Sequence, residues 1–244
     1  MKSFFKKMFH WNPDRETLIA LTAGLIIILL SLALGFAEKI PVLSIIIRDI
    51  GQIFIGILFP LLYIRRKKDD FGSFGFSLKK WYIFLPVNLV LGILLLVFFL
   101  SDVPPPENFC ISIKTIWVSA FVMLAVIFEI VFFYGFIRTL LERAFGVIPG
   151  IILAAVIYSF HHAGFQPEFA KLFLVGLVFA VIYRIGNSFL LIFPFFAAVG
   201  ALYDVLIQSD KVKPVLYPEI RTLYLLFLIS GIFIWLLTEK RIKK

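Results

Sequence analysis

The stretch AFVMLAVIFEIVFFYGFIRTLLERAFGVIPGIILAAVIYSFHH, residues 120–162, decides the fold of this chain. It consists of two apolar runs on either side of a turn-like segment, 143–149. One carboxylate, Glu129, lies inside the first run, and a double histidine, His161 and His162, closes the second. Because a carboxylate in hydrocarbon is costly, an intramembrane glutamate is a functional-site hypothesis by default.

The two runs are interpreted as an antiparallel helical hairpin that turns near Phe145 and Gly146. In such a hairpin, residues at equal depth have numbers that sum to about 291, and Glu129 and His162 meet this condition. Neighbouring helix residues point about 100° apart, so both histidines face Glu129 only if the helix unwinds there. The depth argument favours His162 as the partner of Glu129 and keeps His161 as the alternative.

The composition is that of a membrane protein. Of the 244 residues, 61% are hydrophobic and only 16% are charged, and the mean hydropathy of +1.02 is too high for a soluble domain. Eight apolar runs are visible, most of them close to the ~20 residues that a bilayer-spanning helix needs. They cover 17–37, 40–64, 81–100, 111–137, 147–162, 169–185, 188–207 and 222–237. The predicted fold is therefore all-α, a polytopic membrane bundle of about eight transmembrane helices.

The net charge of +9 follows the positive-inside rule and does not indicate nucleic acid. An even number of spans puts both termini on one side, and that side receives 17 of the 24 lysines and arginines. We therefore expect cytoplasmic termini, the lipid bilayer as a partner and no nucleic-acid partner. The first apolar run is too long for an ordinary signal peptide and is expected to be retained as a helix.

Three segments are predicted along the chain. Residues 1–110 hold three N-terminal spans, 111–207 hold the core helices, and 208–244 hold an outer loop, the last span and a basic cytoplasmic tail. Polar residues near the membrane concentrate between Glu129 and Asp204, so the chemistry is expected in the second half. Their clustering at one depth, and the lack of matching interrupted helices in the two halves, disfavour a transporter.

Hydrolysis inside a membrane needs a water molecule, a base that deprotonates it and a group that stabilises the developing oxyanion. Glu129 with a neutral histidine supplies a base and a proton-transfer partner. The structural alternatives are a carboxyl group that serves helix packing and a histidine pair at the membrane interface. Arg138 and Glu142 are four residues apart and are expected to form a pair on the helix surface.

Two short stretches, EIVFFY (129–134) and YSFHH (158–162), carry a family resemblance. Together with the residues up to Asp204, they resemble the CAAX-protease and bacteriocin-processing family of intramembrane endopeptidases, also called CPBP or Abi proteins. Members carry a Glu-Glu-x-x-x-Arg motif, then a Phe-x-x-x-His motif, then a His-x-x-x-Asn/Asp motif. Here Glu129 is kept, Ile130 and Tyr134 replace the second Glu and the Arg, and Tyr158 replaces the Phe four residues before His162.

The third motif is missing from this chain. Its expected positions fall in FPFFAAVGALYD (193–204), at Phe195 or Phe196 and at Val199 or Gly200. The resemblance implies that Glu129 and His162, with His161 as the alternative, activate the attacking water. The residues expected to line the same cavity are Tyr134, Tyr158, Gln166, Glu168, Asn187 and Asp204. The last four of these are also candidates to replace the third motif.

The resemblance implies an intramembrane endopeptidase, in the plasma membrane of a prokaryote, that cleaves membrane-associated peptides or lipidated proteins. The competing interpretation keeps the fold without the chemistry, as a non-catalytic membrane protein for peptide binding or bacteriocin self-immunity. No cysteine and histidine spacing in the sequence predicts structural zinc. The sequence leaves open whether a divalent metal takes part or no cofactor is needed.

Overall fold

The computed structural model describes residues 2–37, 39–77, 79–102, 112–162, 167–188, 192, 195 and 216–242. Within these ranges the chain forms α-helices, two π-helical segments and a 3₁₀ turn, with no strand. In chain order the elements are α1 (Lys2–Met8), α2 (Arg15–Ala37), α3 (Pro41–Asp49), the first π-helical segment (Ile50–Leu58), α4 (Phe59–Lys67), the 3₁₀ turn (Phe71–Phe74), α5 (Trp81–Asp102), α6 (Ile113–Glu129), the second π-helical segment (Ile130–Ile137), α7 (Arg138–Phe145), α8 (Val147–His161), α9 (Phe169–Gly186) and α10 (Pro218–Ile242).

The helices have the length and composition of a membrane protein. Five of those in the described ranges are long and apolar enough to cross a bilayer, and α8 is a shorter apolar helix. The five are Arg15–Ala37, Pro41–Lys67, Trp81–Phe98, Ile113–Phe145 and Phe169–Gly186. α10 coincides with the last predicted run, whereas most of run 188–207 lies outside the described residues. The predicted all-α membrane bundle is confirmed.

Two compact units divide the chain. The first contains Met1–Phe84 and Phe128–Ile192, and the second contains Leu85–Ile127 and Phe193–Lys244. Each unit combines two stretches that are far apart along the chain, whereas the three segments predicted from the sequence follow chain order. The predicted segmentation therefore stays a prediction. Glu129 and both candidate histidines lie in the first unit, which is the one described below.

α7 and α8 form the helical hairpin that the sequence predicts. α7 ends at Phe145, α8 begins at Val147, and Gly146 between them has a φ of 94°, which a glycine adopts without steric cost. The two helices approach so closely that a Cβ atom on Gly150 would lie 2.6 Å from the backbone nitrogen of Glu142. The tight turn and this close approach fix the depth at which the two runs meet.

The segment after α1 is attached to the hairpin turn. The last carbonyl groups of an α-helix lack partners within the helix. At the end of α7, the backbone N–H of His10 donates to the carbonyl of Phe145 at 3.1 Å. The N–H of Asn12 donates to the carbonyl of Ala144 at 2.7 Å, and His10 Nε2 lies 2.8 Å from the carbonyl oxygen of Arg143. The amino-terminal segment therefore caps α7.

Asp14 caps the start of α2. Its carboxylate accepts hydrogen bonds from the backbone N–H groups of Glu16 at 2.9 Å and Thr17 at 3.1 Å, and the Thr17 hydroxyl accepts from the N–H of Asp14 at 3.0 Å. This reciprocal arrangement satisfies donors that a helix start leaves unpaired. The hydrogen bond from Thr17 holds the pKa of Asp14 below its ordinary value.

Arg138, which the sequence predicts on the helix surface, is buried, with a side chain only 2% exposed. Its Nε donates to the carbonyl of Tyr134 at 2.7 Å, and its Nη1 donates to the Glu142 carboxylate. The same carboxylate accepts from Arg184 of α9 at 2.9 Å. The pair between Arg138 and Glu142 is therefore present, but its predicted surface placement is wrong, because Glu142 joins α7 to α9.

The two π-helical segments are features that the sequence did not predict. One begins directly after Glu129, and the other lies in the helical stretch that follows α3. At Gly56 the ring of Phe128 occupies the space that a side chain would fill. Because π-helical turns are rare and are frequent at functional sites, the segment after Glu129 adds to the interest of that residue.

Candidate active site

Glu129 and His162 meet inside the first unit. The Nε2 atom of His162 lies 3.9 Å from the Oε1 atom of Glu129, and the side chains are 29% and 16% exposed. Glu129 is the last residue of α6 and precedes the π-helical segment, whereas His162 directly follows α8. The hairpin places them together at the depth that the sequence predicts.

The hydrogen bond on the other side of the ring sets the tautomer of His162. Its Nδ1 lies 3.0 Å from the carbonyl oxygen of Tyr158, which can only accept a hydrogen bond. Nδ1 therefore carries a proton, and in the neutral imidazole Nε2 presents its lone pair toward Glu129. The backbone of α8 thus aims a hydrogen-bond acceptor at the carboxylate.

This separation suits a shared water molecule better than a direct hydrogen bond. A direct N–H···O bond would need about 3 Å, whereas two groups bonded to one tetrahedral water at about 2.8 Å each stand about 4.6 Å apart. A modest widening of the 3.9 Å separation therefore admits one water between Nε2 and Oε1. Both atoms are acceptors, so that water would donate both protons to the pair and direct its lone pairs elsewhere.

His161 faces a different partner. Its Nδ1 and the hydroxyl of Ser31 on α2 share a hydrogen bond of 2.7 Å. Its ring packs against Phe128 and Phe133, with centroid distances of 5.4 Å and 5.1 Å. The helix ends at His161, and the two rings diverge although their centroids are 5.1 Å apart. Of the two histidines named by the sequence, the structure brings His162 to Glu129 and His161 to Ser31.

Tyr134 and Tyr158, the tyrosines at the family-motif positions, lie at this site. Tyr134 is fully buried. The two tyrosine rings have a centroid distance of 5.6 Å, and the ring of Tyr158 lies 4.7 Å from that of His162. A phenolic hydroxyl therefore stands where the family has a charged arginine.

The other predicted lining residues have different positions. Gln166 and Asp204 lie outside the described residues. Glu168 is exposed and its carboxylate is 3.9 Å from the ammonium group of Lys171, although it is near enough to His162 to interact electrostatically. Asn187 donates to the carbonyl of Gly72 at 2.8 Å, and it follows the end of α9. Its side-chain hydrogen bond is thus to the loop that contains Gly72, and its lining role stays a prediction.

A cavity of about 290 Å³ adjoins His161. Its walls come mainly from α2 and from the helical stretch around Gly51, and they are largely apolar. The polar side chains in the wall are Ser31, Arg48, Gln52 and His161. Sequence reasoning assigned the chemistry to the second half of the chain and so missed this contribution from the first. The available signal was the presence of Ser31 and Gln52 inside two otherwise apolar runs.

Within the described ranges, no group of three or more histidine, cysteine, aspartate or glutamate side chains is arranged to hold a metal ion.

The comparison with known proteins bears on the same residues. Residues 111–203 match the family model described as type II CAAX prenyl endopeptidase Rce1-like. This segment contains Glu129, both histidines and Tyr134. Neither the curated proteins nor the solved structures gave a match to the chain.

Fold and site together define an integral membrane protein with a carboxylate and an imidazole facing each other between its helices. The match over segment 111–203 supports a relationship of this segment to the CAAX-protease and bacteriocin-processing family.

Proposed function

We propose that the protein is an intramembrane endopeptidase that hydrolyses membrane-associated or lipidated peptides. The observation that carries the proposal is the 3.9 Å approach of His162 Nε2 to Glu129 Oε1. After the modest widening described above, the acceptors on both sides would hold and polarise one water molecule. The family match over 111–203 supports the same activity.

In this mechanism Glu129 is the general base. Its carboxylate takes a proton from the water, and the water oxygen forms a bond to the carbonyl carbon of the scissile peptide. His162 accepts the second hydrogen bond of the water through Nε2 and so orients its attack. When the tetrahedral intermediate collapses, the C–N bond breaks and the proton held by Glu129 passes to the leaving amine. Tyr134 and Tyr158 supply hydroxyl groups at the same site that are able to donate to the developing oxyanion.

The substrate class follows from where the pair lies. Glu129 belongs to a helix of membrane-spanning length, so a peptide must enter the bilayer to reach it. The largely apolar cavity beside His161 favours a hydrophobic or lipidated segment next to the scissile bond. The family description names a prenyl endopeptidase, which supports lipidated peptides as the first substrates to test.

The orientation in the membrane is part of the proposal. Arg143 Nη1 of α7 lies 3.2 Å from a carboxylate oxygen of Glu16 and 2.9 Å from one of Asp69, and the Lys67 ammonium is 3.2 Å from Glu16. Lys67 and Arg143, two of the basic residues that the sequence predicts on one side, therefore share one end of the first unit. Together with the positive-inside rule, these contacts support a cytoplasmic amino terminus.

A non-catalytic peptide-binding protein is the second candidate. The observation that favours it is Phe195, one of the two positions at which the family's third histidine is expected. Ile130 and Tyr134 also remove the charged supporting residues of the first motif. Such a protein would bind the same peptides in the same cavity and leave them intact.

The two candidates are separated by incubating the full chain, reconstituted in lipid nanodiscs, with prenylated and unmodified peptides in H₂¹⁸O. Mass spectrometry of the products is compared for the wild type, Glu129→Gln, His162→Ala and the control Glu219→Gln, which removes a carboxylate from the second unit. The endopeptidase gives products with ¹⁸O in the new carboxyl group for the wild type and the control only. Peptides that are retained on the wild-type protein but stay intact would establish the binding function instead.

A further inference from the structure

A second, larger cavity lies at the turn of the α7–α8 hairpin. Its volume is about 800 Å³, and it is formed by α1 with the segment that follows it, by the hairpin turn and by α9. Its basic wall residues are Lys6, Lys7, His10, Arg143 and Arg184. None of the catalytic roles proposed above uses these side chains.

The charge of this cavity is strongly unbalanced. Among the described residues of its wall, Glu142 is the one carboxylate, and it already accepts hydrogen bonds from Arg138 and Arg184. Arg143 is engaged with Glu16 and Asp69. The exposed ammonium groups of Lys6 and Lys7 therefore add positive charge that the wall itself does not neutralise. An anion is the chemical class that this wall attracts.

The surroundings of the cavity favour a lipid as the source of that anion. Phe4 and Phe5, on α1, are 62% and 61% exposed, and Trp11 in the cavity wall is 80% exposed. α1 precedes α2, whose membrane-spanning stretch begins at Arg15, so these aromatic side chains lie at the membrane boundary. A short lysine-rich helix with exposed aromatic residues is typical of the bilayer interface, where it meets headgroups and acyl chains together.

We propose that this cavity binds the phosphate headgroup of an anionic phospholipid, with Lys6 and Lys7 on the phosphate and the exposed aromatic side chains against the acyl chains. The occupant touches the hairpin turn, because Arg143 and Val147 belong to the cavity wall. Bound lipid therefore stabilises the hairpin that holds Glu129 beside His162. The site is separate from the proposed hydrolysis and is testable whether or not the protein cleaves peptides.

The test uses the detergent-solubilised full chain, titrated with phosphatidylglycerol or with phosphatidylcholine and followed by native mass spectrometry and by the thermal unfolding midpoint. The variant Lys6→Gln/Lys7→Gln removes two charges from the cavity. The matched control Lys79→Gln/Lys80→Gln removes two exposed charges from the loop before α5. Each titration is repeated with an excess of inorganic phosphate.

We expect the wild type to retain phosphatidylglycerol over phosphatidylcholine and to unfold at a higher temperature with it. Lys6→Gln/Lys7→Gln should weaken phosphatidylglycerol binding roughly tenfold or more, given the usual effect of two lysines at an anionic surface, and should abolish the thermal shift. The control variant should keep both the binding of phosphatidylglycerol and the thermal shift. Inorganic phosphate should not compete with the lipid. Equal losses of phosphatidylglycerol binding in the two double variants would contradict the proposed lipid site. Equal retention of the two lipids by the wild type would contradict it as well. Competition by inorganic phosphate would show that the cavity binds a soluble anion and would contradict a lipid as its occupant.

Discussion

His162 Nε2 lies 3.9 Å from Glu129 Oε1, although a complete helical hairpin separates the two residues along the chain. The hairpin turn at Gly146 and the close helix crossing at Gly150 produce this approach. Because His162 is held through Nδ1 by the carbonyl of Tyr158, its Nε2 atom is directed at the carboxylate before any substrate arrives. The site therefore depends on backbone geometry as much as on the two side chains.

The two histidines should differ in their effect on hydrolysis. His162→Ala removes the group that faces Glu129, whereas Ser31→Ala removes only the hydrogen-bond partner of His161. We expect Ser31→Ala to lower the cleavage rate only about twofold to tenfold, the usual effect of losing one hydrogen bond. His162→Ala should lower it about a hundredfold or more. Cleavage rates of the reconstituted variants check this order, and a larger loss in Ser31→Ala than in His162→Ala would reverse the assignment.

Gly150 should be intolerant of even a methyl group. A Cβ atom there would stand 2.6 Å from the backbone nitrogen of Glu142, so Gly150→Ala must separate α7 from α8. We expect a destabilisation of about 1–3 kcal/mol and a loss of activity as His162 moves from Glu129. Gly231→Ala is the matched control, since nothing lies within 4 Å of a Cβ at that helical position. Thermal midpoints in detergent compare the two, and an unchanged midpoint in Gly150→Ala would rule out the tight crossing.

Glu142 should contribute far more to stability than an exposed ion pair does. Glu142→Gln leaves Arg138 buried without its carboxylate partner and also removes the partner of Arg184. Breaking a buried pair in this way costs about 3–5 kcal/mol. By contrast, Lys171→Gln removes one member of a pair whose side chains are both 61% exposed, which costs less than about 1 kcal/mol. Comparable shifts of the unfolding midpoint in the two variants would contradict the buried network.

The cap at Asp14 should make stability depend on pH at the acidic end. The folded protein lowers the pKa of Asp14, so the charged cap stabilises the fold above the ordinary aspartate pKa and is lost as pH falls through the folded value. At neutral pH, Asp14→Ala should cost about 1 kcal/mol. The difference between wild type and variant should shrink below about pH 4. Unfolding midpoints across that range check the sign, and a difference that grows in acid would contradict it.

The hairpin and the meeting of Glu129 with His162 could be predicted from the sequence because both follow from helix geometry. Once the turn is placed near Gly146, the rise per residue fixes which positions share a depth. The apolar runs likewise fix the helices that cross the membrane, since the bilayer sets their length. Long, regular elements are thus the part of this molecule that a sequence determines most directly.

The details that failed depend on contacts between distant elements. The partner of His161 is Ser31, in the first span, and no local pattern links the two residues. Arg138 and Glu142 have the spacing of a surface pair, but Arg138 is buried and Arg184 from another helix shares the partly buried carboxylate. The π-helical turns after Glu129 likewise have no signal in the local sequence.

The most direct test of the shared water is a double-mutant cycle on the single-turnover cleavage rate, with wild type, Glu129→Gln, His162→Ala and the double variant in nanodiscs. If the two side chains act on one water, each single substitution lowers the rate about 10²–10⁴-fold, and the double variant is no slower than the worse single variant. Losses that multiply would show that the two residues act independently. Either single variant with full activity would contradict the pairing of Glu129 with His162 as the hydrolytic site.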